Sequence, residues 1–476
     1  MKELKLSEVI QATGGQVLAE KQKTFTEIGS DSRADLKGNL FFALKGESFD
    51  AHQFLKKAVE QGAAGLVVHE VRPEIKDLQT QVTVILVKDT LKALQDLSHF
   101  SRMKSPSLIV GITGSNGKTT SKEFSNAVIS ACRKVHYPKG SFNNHWGVPF
   151  TLLAEPESTE VSLIEMGMNH SGEIKTLCEI ADPDIVVCTM VGRAHIEHFG
   201  SIEKIAEAKE EIYQYAKPTA IRIYNLDNPQ TALMFEKAKK DFPKARKVFS
   251  FSGKNKHADI FFEIKKLTMA SIVLQGSIAG IAGEAEVFVF GEHNLINLMV
   301  AASIALACRL TPQEIWAALP RCKTNWGRNQ LVHLKSGAEL LFDGYNANPD
   351  SMKALLDNVK LIKSGGKKVG VFAQMLELGE SSAALHQELG KQVGAAGFDA
   401  IWFYGADQMA FEAGVKASKF SKKIMISDTY KDVLASELAS VLKLSDTVLV
   451  KGSRGMKLER FVMACEPLDF SLKKED

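Results

Sequence analysis

Residues 111–120, Gly-Ile-Thr-Gly-Ser-Asn-Gly-Lys-Thr-Thr, constrain the fold more than any other segment, because an apolar run, Ser107-Leu-Ile-Val110, leads in and a helical stretch leads out. Glycines at such a point let consecutive backbone N–H groups turn towards one anion, and the N-terminus of the following helix adds partial positive charge there. The arrangement predicts a phosphate cradle. Gly114, Ser115, Asn116 and Gly117 form its loop, Lys118 reaches the β- and γ-phosphates, and Thr119, followed by Thr120, is set to ligate Mg²⁺. The spacing is G-x-x-G-x-x-G-K-T-T, and Ile112 stands where the common Walker A pattern has its first glycine. A strand–loop–helix unit of this kind belongs to a mostly parallel sheet, so the predicted fold class is α/β.

Composition narrows the setting. A chain of 476 residues is long enough for about three domains, and its 45% hydrophobic residues supply several cores. The formal net charge of +3 is spread along the chain, which argues against a nucleic-acid or membrane-surface partner. Six cysteines, Cys132, Cys178, Cys188, Cys308, Cys322 and Cys465, lie far apart with no C-x-x-C pair, as expected for reduced thiols in a cytosol. The start Met1-Lys-Glu-Leu-Lys5 has no apolar signal core. Leu295–Leu310 is the longest apolar stretch, but Asn297, Ser303 and Arg309 interrupt it, so a buried helix is expected rather than a membrane span.

Three units separate along the chain. Residues 1–104 alternate short strands and helices and end in the polar connector Ser101–Ser107. Residues 105–323 contain the phosphate loop and strands such as Val161–Ile164 and Asp184–Cys188, with a strand-rich stretch near 258–290. Residues 324–476 show strands at Glu339–Phe342, Lys368–Phe372, Ala400–Tyr404, Lys423–Ile426 and Thr447–Val450, the pattern of a small doubly wound domain.

The second unit carries further polar groups at strand ends, where open α/β sheets place their ligands. Glu165 closes the run Val161–Ile164, and a carboxylate there can hold Mg²⁺ in place of the usual Walker B acid. His195 stands in the loop after the strand 184–190, and the helix beyond carries Lys209. Each alone has an ordinary structural explanation, but their order behind a phosphate loop points to one site.

Taken together, these residues resemble the Mur ligases, ATP-dependent amide-bond-forming enzymes of peptidoglycan synthesis that share their plan with folylpolyglutamate synthetases. The resemblance spans essentially the whole chain. It is carried by Ser30-Asp-Ser-Arg33, Phe41-Phe-Ala-Leu-Lys-Gly46, the phosphate loop, Ser141-Phe-Asn-Asn-His-Trp-Gly-Val-Pro149, Glu165-Met-Gly-Met-Asn169, Gly291-Glu-His-Asn-Leu-Ile-Asn297, Asp343-Gly-Tyr-Asn-Ala-Asn-Pro349 and Val450-Lys-Gly-Ser-Arg454. It implies a small N-terminal α/β nucleotide-sugar domain, a central P-loop ATPase-like domain and a C-terminal Rossmann-like domain. The Tyr345-Asn-Ala-Asn-Pro349 run resembles the members that add D-Ala-D-Ala to UDP-N-acetylmuramoyl-tripeptide.

What the resemblance implies for chemistry is an acyl phosphate, formed on the donor carboxylate by the γ-phosphate of ATP and then attacked by the dipeptide amine. Lys118, Thr119 and Glu165 fit one Mg²⁺, Glu165 with His195 a second, and Lys209 resembles a lysine carried as a carbamate. Asn294 and Asn297 match positions near adenine, while Arg328 and Asp343 match those at phosphate and ribose, so the last domain must close over the central one. Ser30, Ser32, Arg33, Lys45, Asp50, His52 and Asn143 would hold the uridine-diphosphate end. Tyr345, Asn346, Asn348, Lys451 and Ser453, with Arg454, would face the acceptor. A monomer in the cytoplasm is expected.

One departure is visible: a family-like Gly-Asp-Met-x-Glu-Leu-Gly reads Ala373-Gln-Met-Leu-Glu-Leu-Gly379, so Gln374 replaces an acid. The Asp-Asn-Pro-Arg run typical of ligases adding meso-diaminopimelate is absent from the last unit, and Asp227-Asn-Pro229 is followed by Gln230. Two other readings remain: another amide ligase of this plan, such as a folylpolyglutamate synthetase, or a phosphate-loop regulatory NTPase or transport ATPase. The latter lacks an Asn-Lys-x-Asp or Ser-Gly-Gly-Gln motif.

Overall fold

Three successive stretches of chain each build a large open sheet, in addition to a short antiparallel pair, Leu4–Lys5 with Thr24–Phe25, in the computed structural model, which describes residues 3–46, 49–138, 140, 142–194, 196–361 and 365–472. The first sheet has five strands in the order Gln16–Ala19, Thr83–Leu86, Gly65–Val68, Leu40–Phe42, Ile28–Gly29, all parallel except the first. The second has nine strands. Val135–His136, Val161–Glu165, Leu108–Thr113, Ile185–Cys188, Ile221–Asn225, Val248–Ser252 and Ile260–Leu267 run parallel, and Ile272–Ile278 and Ile281–Val287 extend the edge antiparallel. These last two strands and Ile260–Leu267 are the strand-rich interruption expected near 258–290.

Parallel strands are joined by helices that cover both sheet faces, so their side chains are apolar on both sides. On one face of the second sheet, Val110, Ile112, Val187 and Ile223 pack against Phe124 of helix Lys118–Ile129 and Leu298 and Ala301 of helix Asn294–Ala307. On the other face, Ile109, Ile164 and Val186 meet Ile205 and Ile212 of helix Ile202–Gln214. Helix Asn294–Ala307 is buried nearly all round, which accounts for the long apolar stretch in the sequence.

The third sheet has the order Gln330–His333, Glu339–Asp343, Thr447–Lys451, Lys368–Ala373, Ala400–Tyr404, Lys423–Ser427, parallel after the first strand. The last strand in sequence lies between Glu339–Asp343 and Lys368–Ala373, which creates a switch point at their C-terminal ends. Asp343 and Lys451 end neighbouring strands in register and so arrive together.

The segment 101–107, expected as a connector, is helical as far as Lys104. Helix Thr90–Lys104 is capped by Asp89, whose carboxylate accepts from Leu91 and Lys92 N–H, and Pro106 follows its end. Arg102 anchors this helix to the second sheet, donating to Ala181 O and, at 2.8 Å, to Asp184 Oδ2. Among the described residues no helix is long and apolar enough to cross a membrane.

Candidate functional site

The phosphate loop leaves its strand at Gly114, whose φ is +147° and whose missing Cβ would lie 1.9 Å from Thr189 Oγ1. Gly117, with φ +84°, would place a Cβ 2.4 Å from Asn297 Oδ1. Both positions therefore demand glycine for conformation and for space. The loop is pinned from the next strand end: Thr189 Oγ1 donates to Asn116 O at 2.5 Å, and Ser115 N–H donates to Met190 O at 2.9 Å.

Lys118 opens the following helix, and its amine donates to Gly114 O at 2.7 Å. Burial lowers its pKa, opposed by the charge of Glu165. Glu165 is 1% exposed. Its Oε2 accepts from Thr119 Oγ1 and its Oε1 from Asn143 Nδ2, both at 2.9 Å. Asn143, expected beside the uridine-diphosphate end, is thus engaged with this carboxylate.

These groups line a cavity of about 440 Å³ whose opposite wall comes from the third sheet, and Thr120, Asn294 and Asn297 face the same space. Arg328 donates to Thr119 Oγ1 at 3.1 Å, with its guanidinium 4.2 Å from the centre of the Tyr345 ring. Asn348 Nδ2 donates to Asn116 Oδ1 at 2.8 Å, and Asp350 accepts from Arg193 N–H at 2.7 Å. Two sequence segments more than 200 residues apart thus close one cavity. Lys451, 1% exposed, donates to Asp343 Oδ2 at 2.5 Å and to Asn346 O at 3.1 Å. Asn294 and Asn297 are tied to each other at 2.8 Å, and Asn294 also donates to Phe290 O.

Lys209 is 1% exposed and, among the described residues, has no hydrogen bond or ion pair. Burial, reinforced by the charge of Lys118, pulls its pKa down to about 7. A buried amine held near neutrality is the chemical form that can take up CO₂. His195, like Ser141 of the 141–149 motif, lies outside the described residues. Among the described residues no three of His, Cys, Asp and Glu converge on a metal-binding point. Mg²⁺ asks for few protein ligands when phosphates and water complete its octahedron, so the buried Glu165 carboxylate beside the Thr119 hydroxyl fits it.

A second cavity, of about 690 Å³, opens between the first and second sheets. Of the expected first-unit residues only Ser30 lines it, joined by Phe100, Phe142, Asn144, Trp146 and Phe150. Arg33 is exposed and holds Asp31 at 2.8 Å, and Ser32 is buried. Lys45 is exposed and bridges backbone-to-backbone with Asp50. His52 is 0% exposed, with Nδ1 2.8 Å from Asp50 Oδ1 and Nε2 accepting from His69 N–H at 3.2 Å. Both its nitrogens are used within the protein, where they hold the loop.

Ser453 does not line the 440 Å³ cavity: its Oγ accepts from Leu376 N–H at 3.0 Å. Gln374, the departure noted in the sequence, donates to the Asp407 carboxylate and accepts from Asp407 N–H at 3.1 Å. An acid at 374 would face Asp407 carboxylate to carboxylate, so the amide is the group that fits here. Sequence reasoning missed His293, which lines the cavity with Nε2 3.0 Å from Asn329 Nδ2 and with a pKa pushed down to about 4 by burial. Its signal was its place inside the Gly291–Asn297 motif. Thr189 and Asp350 carried no local signal.

Residues 24–102 match the Mur ligase family, catalytic domain; residues 112–305 match the Mur ligase middle domain; and residues 327–454 match the Mur ligase, glutamate ligase domain. The UDP-N-acetylmuramoyl-tripeptide–D-alanyl-D-alanine ligase of Bacillus subtilis (strain 168) is 34% identical over 442 residues, covering 93% of each chain. A crystal structure of MurF from Acinetobacter baumannii superposes with a TM-score of 0.87 at 28% identity, over 98% of this chain and 99% of that one. MurF ligase from Thermotoga maritima in complex with ADP matches with a TM-score of 0.78 at 26% identity, over 92% and 96%. With the phosphate loop, its buried carboxylate and a wall supplied by the third sheet in place, the chain belongs to the Mur ligase family.

Proposed function

We propose that this chain is the ATP-dependent ligase that joins D-Ala-D-Ala to UDP-N-acetylmuramoyl-tripeptide in peptidoglycan synthesis, releasing ADP and phosphate. The observation that carries it is full-length likeness to curated ligases of that name, at 34% identity over 93% of the chain, together with a phosphate loop closed by the third sheet. The reaction first brings two anions together, the donor carboxylate and the γ-phosphate, and Coulomb repulsion opposes that approach. Lys118 and Arg328 supply fixed positive charge, one from each wall of the cavity. Mg²⁺, when bound by Glu165 and Thr119, would neutralise phosphate charge as a Lewis acid. Closure of the cavity excludes water that would otherwise hydrolyse an acyl phosphate.

Lys209 supports a second anionic group. Its neutral amine can add CO₂ to give a carbamate with loss of one proton, turning a cation that would repel Mg²⁺ into an anion that supports it. Residues 1–104 would hold the donor, with the 690 Å³ cavity as the space for its nucleotide-sugar. Residues 105–323 would bind ATP, with Asn294, Asn297 and His293 near adenine, and residues 324–476 would bind the dipeptide beside Tyr345 and Asn346 while closing the ATP site. The setting is the cytoplasm, where ATP and reduced thiols are both found, and the working unit is one chain.

The test is phosphate release measured with each substrate omitted in turn. Release should require ATP, UDP-N-acetylmuramoyl-tripeptide and D-Ala-D-Ala together. Release with a folate and glutamate in their place would overturn the reading in favour of a folylpolyglutamate synthetase. Running the Lys-containing and meso-diaminopimelate-containing tripeptides side by side reads out the third donor residue.

A further inference from the structure

Lys122 is 0% exposed, yet it takes no part in the cavity described above. It lies one turn beyond Lys118 on the phosphate-loop helix, so the two share a helix face. Its amine donates to two carbonyls of one loop, Pro138 O and Gly140 O, each at 2.8 Å, and Glu123 Oε1 is 3.3 Å away. A buried ammonium is kept where its hydrogen bonds are needed, because burying an unpaired charge is costly. Downstream of these carbonyls the chain splits its side chains between two sites. Asn143 turns to Glu165 in the nucleotide cavity and its carbonyl accepts from Gly167 N–H at 2.8 Å, while Phe142 and Trp146 line the 690 Å³ cavity.

We infer that Lys122 is a positioning residue that ties the phosphate-binding helix to the 142–146 loop, and so sets the donor-side aromatic wall and the Glu165–Asn143 contact in register with bound ATP. The inference rests on the ligase reading above and on the donor occupying the larger cavity. Lys122 touches neither cavity, so its effect passes through the loop. Losing two charge-assisted hydrogen bonds to the loop should weaken donor use by about tenfold or more and leave the phosphate loop itself intact.

The experiment compares the full-length wild type with Lys122→Met, measuring ATP affinity, donor KM and the Mg²⁺ concentration for half-maximal rate. The expected result is ATP affinity within about twofold, with donor KM and the Mg²⁺ requirement both raised about tenfold. Equal losses in ATP and donor binding, or an unchanged donor KM, overturn it. If Lys122→Met does not fold, Lys122→Arg decides: its larger, rigid guanidinium cannot take the place of the fully buried ammonium without displacing the two carbonyls. Donor KM should then rise with ATP affinity kept, and a wild-type donor KM overturns the inference. Lys122→Arg combined with Asn143→Ala should be less than additive in the Mg²⁺ requirement, and strict additivity counts against it. Absence of donor-dependent phosphate release in the wild type would instead overturn the functional reading itself.

Discussion

Replacing Lys209 by Met should raise stability while removing most of the turnover. The Lys209 amine is buried without a carboxylate partner among the described residues, and its pKa falls from 10.5 in the unfolded chain to about 7. That fall corresponds to a folding penalty of about 5 kcal/mol at most, because each pKa unit is about 1.4 kcal/mol. The sign follows from proton linkage. Between about pH 7 and 10.5 the unfolded chain binds the proton and the folded one does not, so wild-type stability rises with pH across that window. The penalty is complete below about pH 7 and vanishes above about 10.5. Methionine fills similar volume without a charge, so its advantage over wild type should be greatest near pH 6 and shrink towards pH 10. Denaturant unfolding of both proteins in CO₂-free buffer at pH 6, 7.5 and 9 reads this directly. In bicarbonate buffer, ¹³C NMR should show a carbamate signal in wild type and none in the variant, and turnover should drop by roughly 10²-fold. Parallel pH–stability curves would refute the buried-amine account, and full turnover of Lys209→Met would refute a role for the carbamate.

Lys118→Ala and Glu165→Gln should each lower turnover by roughly 10²-fold or more, and a magnesium titration of Glu165→Gln should need more metal; a curve that overlays wild type makes Glu165 structural. Gly114→Ala should abolish nucleotide binding in equilibrium dialysis, because its Cβ would sit 1.9 Å from Thr189 Oγ1, and Gly114→Ala with Thr189→Gly should recover only part of it, since the φ strain at +147°, the 3.2 Å approach to the backbone N of residue 189 and the lost hydrogen bond to Asn116 O remain. Nucleotide binding by Gly114→Ala alone would show that the loop can move away. Arg328→Ala should weaken ATP binding by about tenfold through loss of a charged hydrogen bond across the closed cavity, and unchanged affinity would place that arginine outside the nucleotide contact.

The order of strands and helices was legible because it depends on neighbours. Short apolar runs announced the parallel strands, and the long apolar 295–310 stretch, interrupted only by Asn297, Ser303 and Arg309, announced a buried helix. Gly114 and Gly117 were legible for the same reason, since a positive φ at a phosphate loop excludes other residues locally. The segment 101–104 was misjudged as connector because its polar residues conceal an anchor: Arg102 is satisfied by Ala181 and Asp184, about 80 residues away.

By itself the sequence determined the phosphate loop, its lysine, the strand-end Glu165 and the three-unit plan, all of which follow from local pattern and backbone conformation. Only the tertiary structure decided which distant loops converge. It set Asn143 on Glu165, used both nitrogens of His52 inside the first unit, and paired Gln374 with Asp407. It brought Arg328 and Asn348 onto the phosphate loop from more than 200 residues away, and it lowered the basicity of Lys209 by burying it within reach of the charge of Lys118. Residue type states what a side chain can do; burial and long-range packing fix its partner and its protonation, and neither is written in the neighbouring residues.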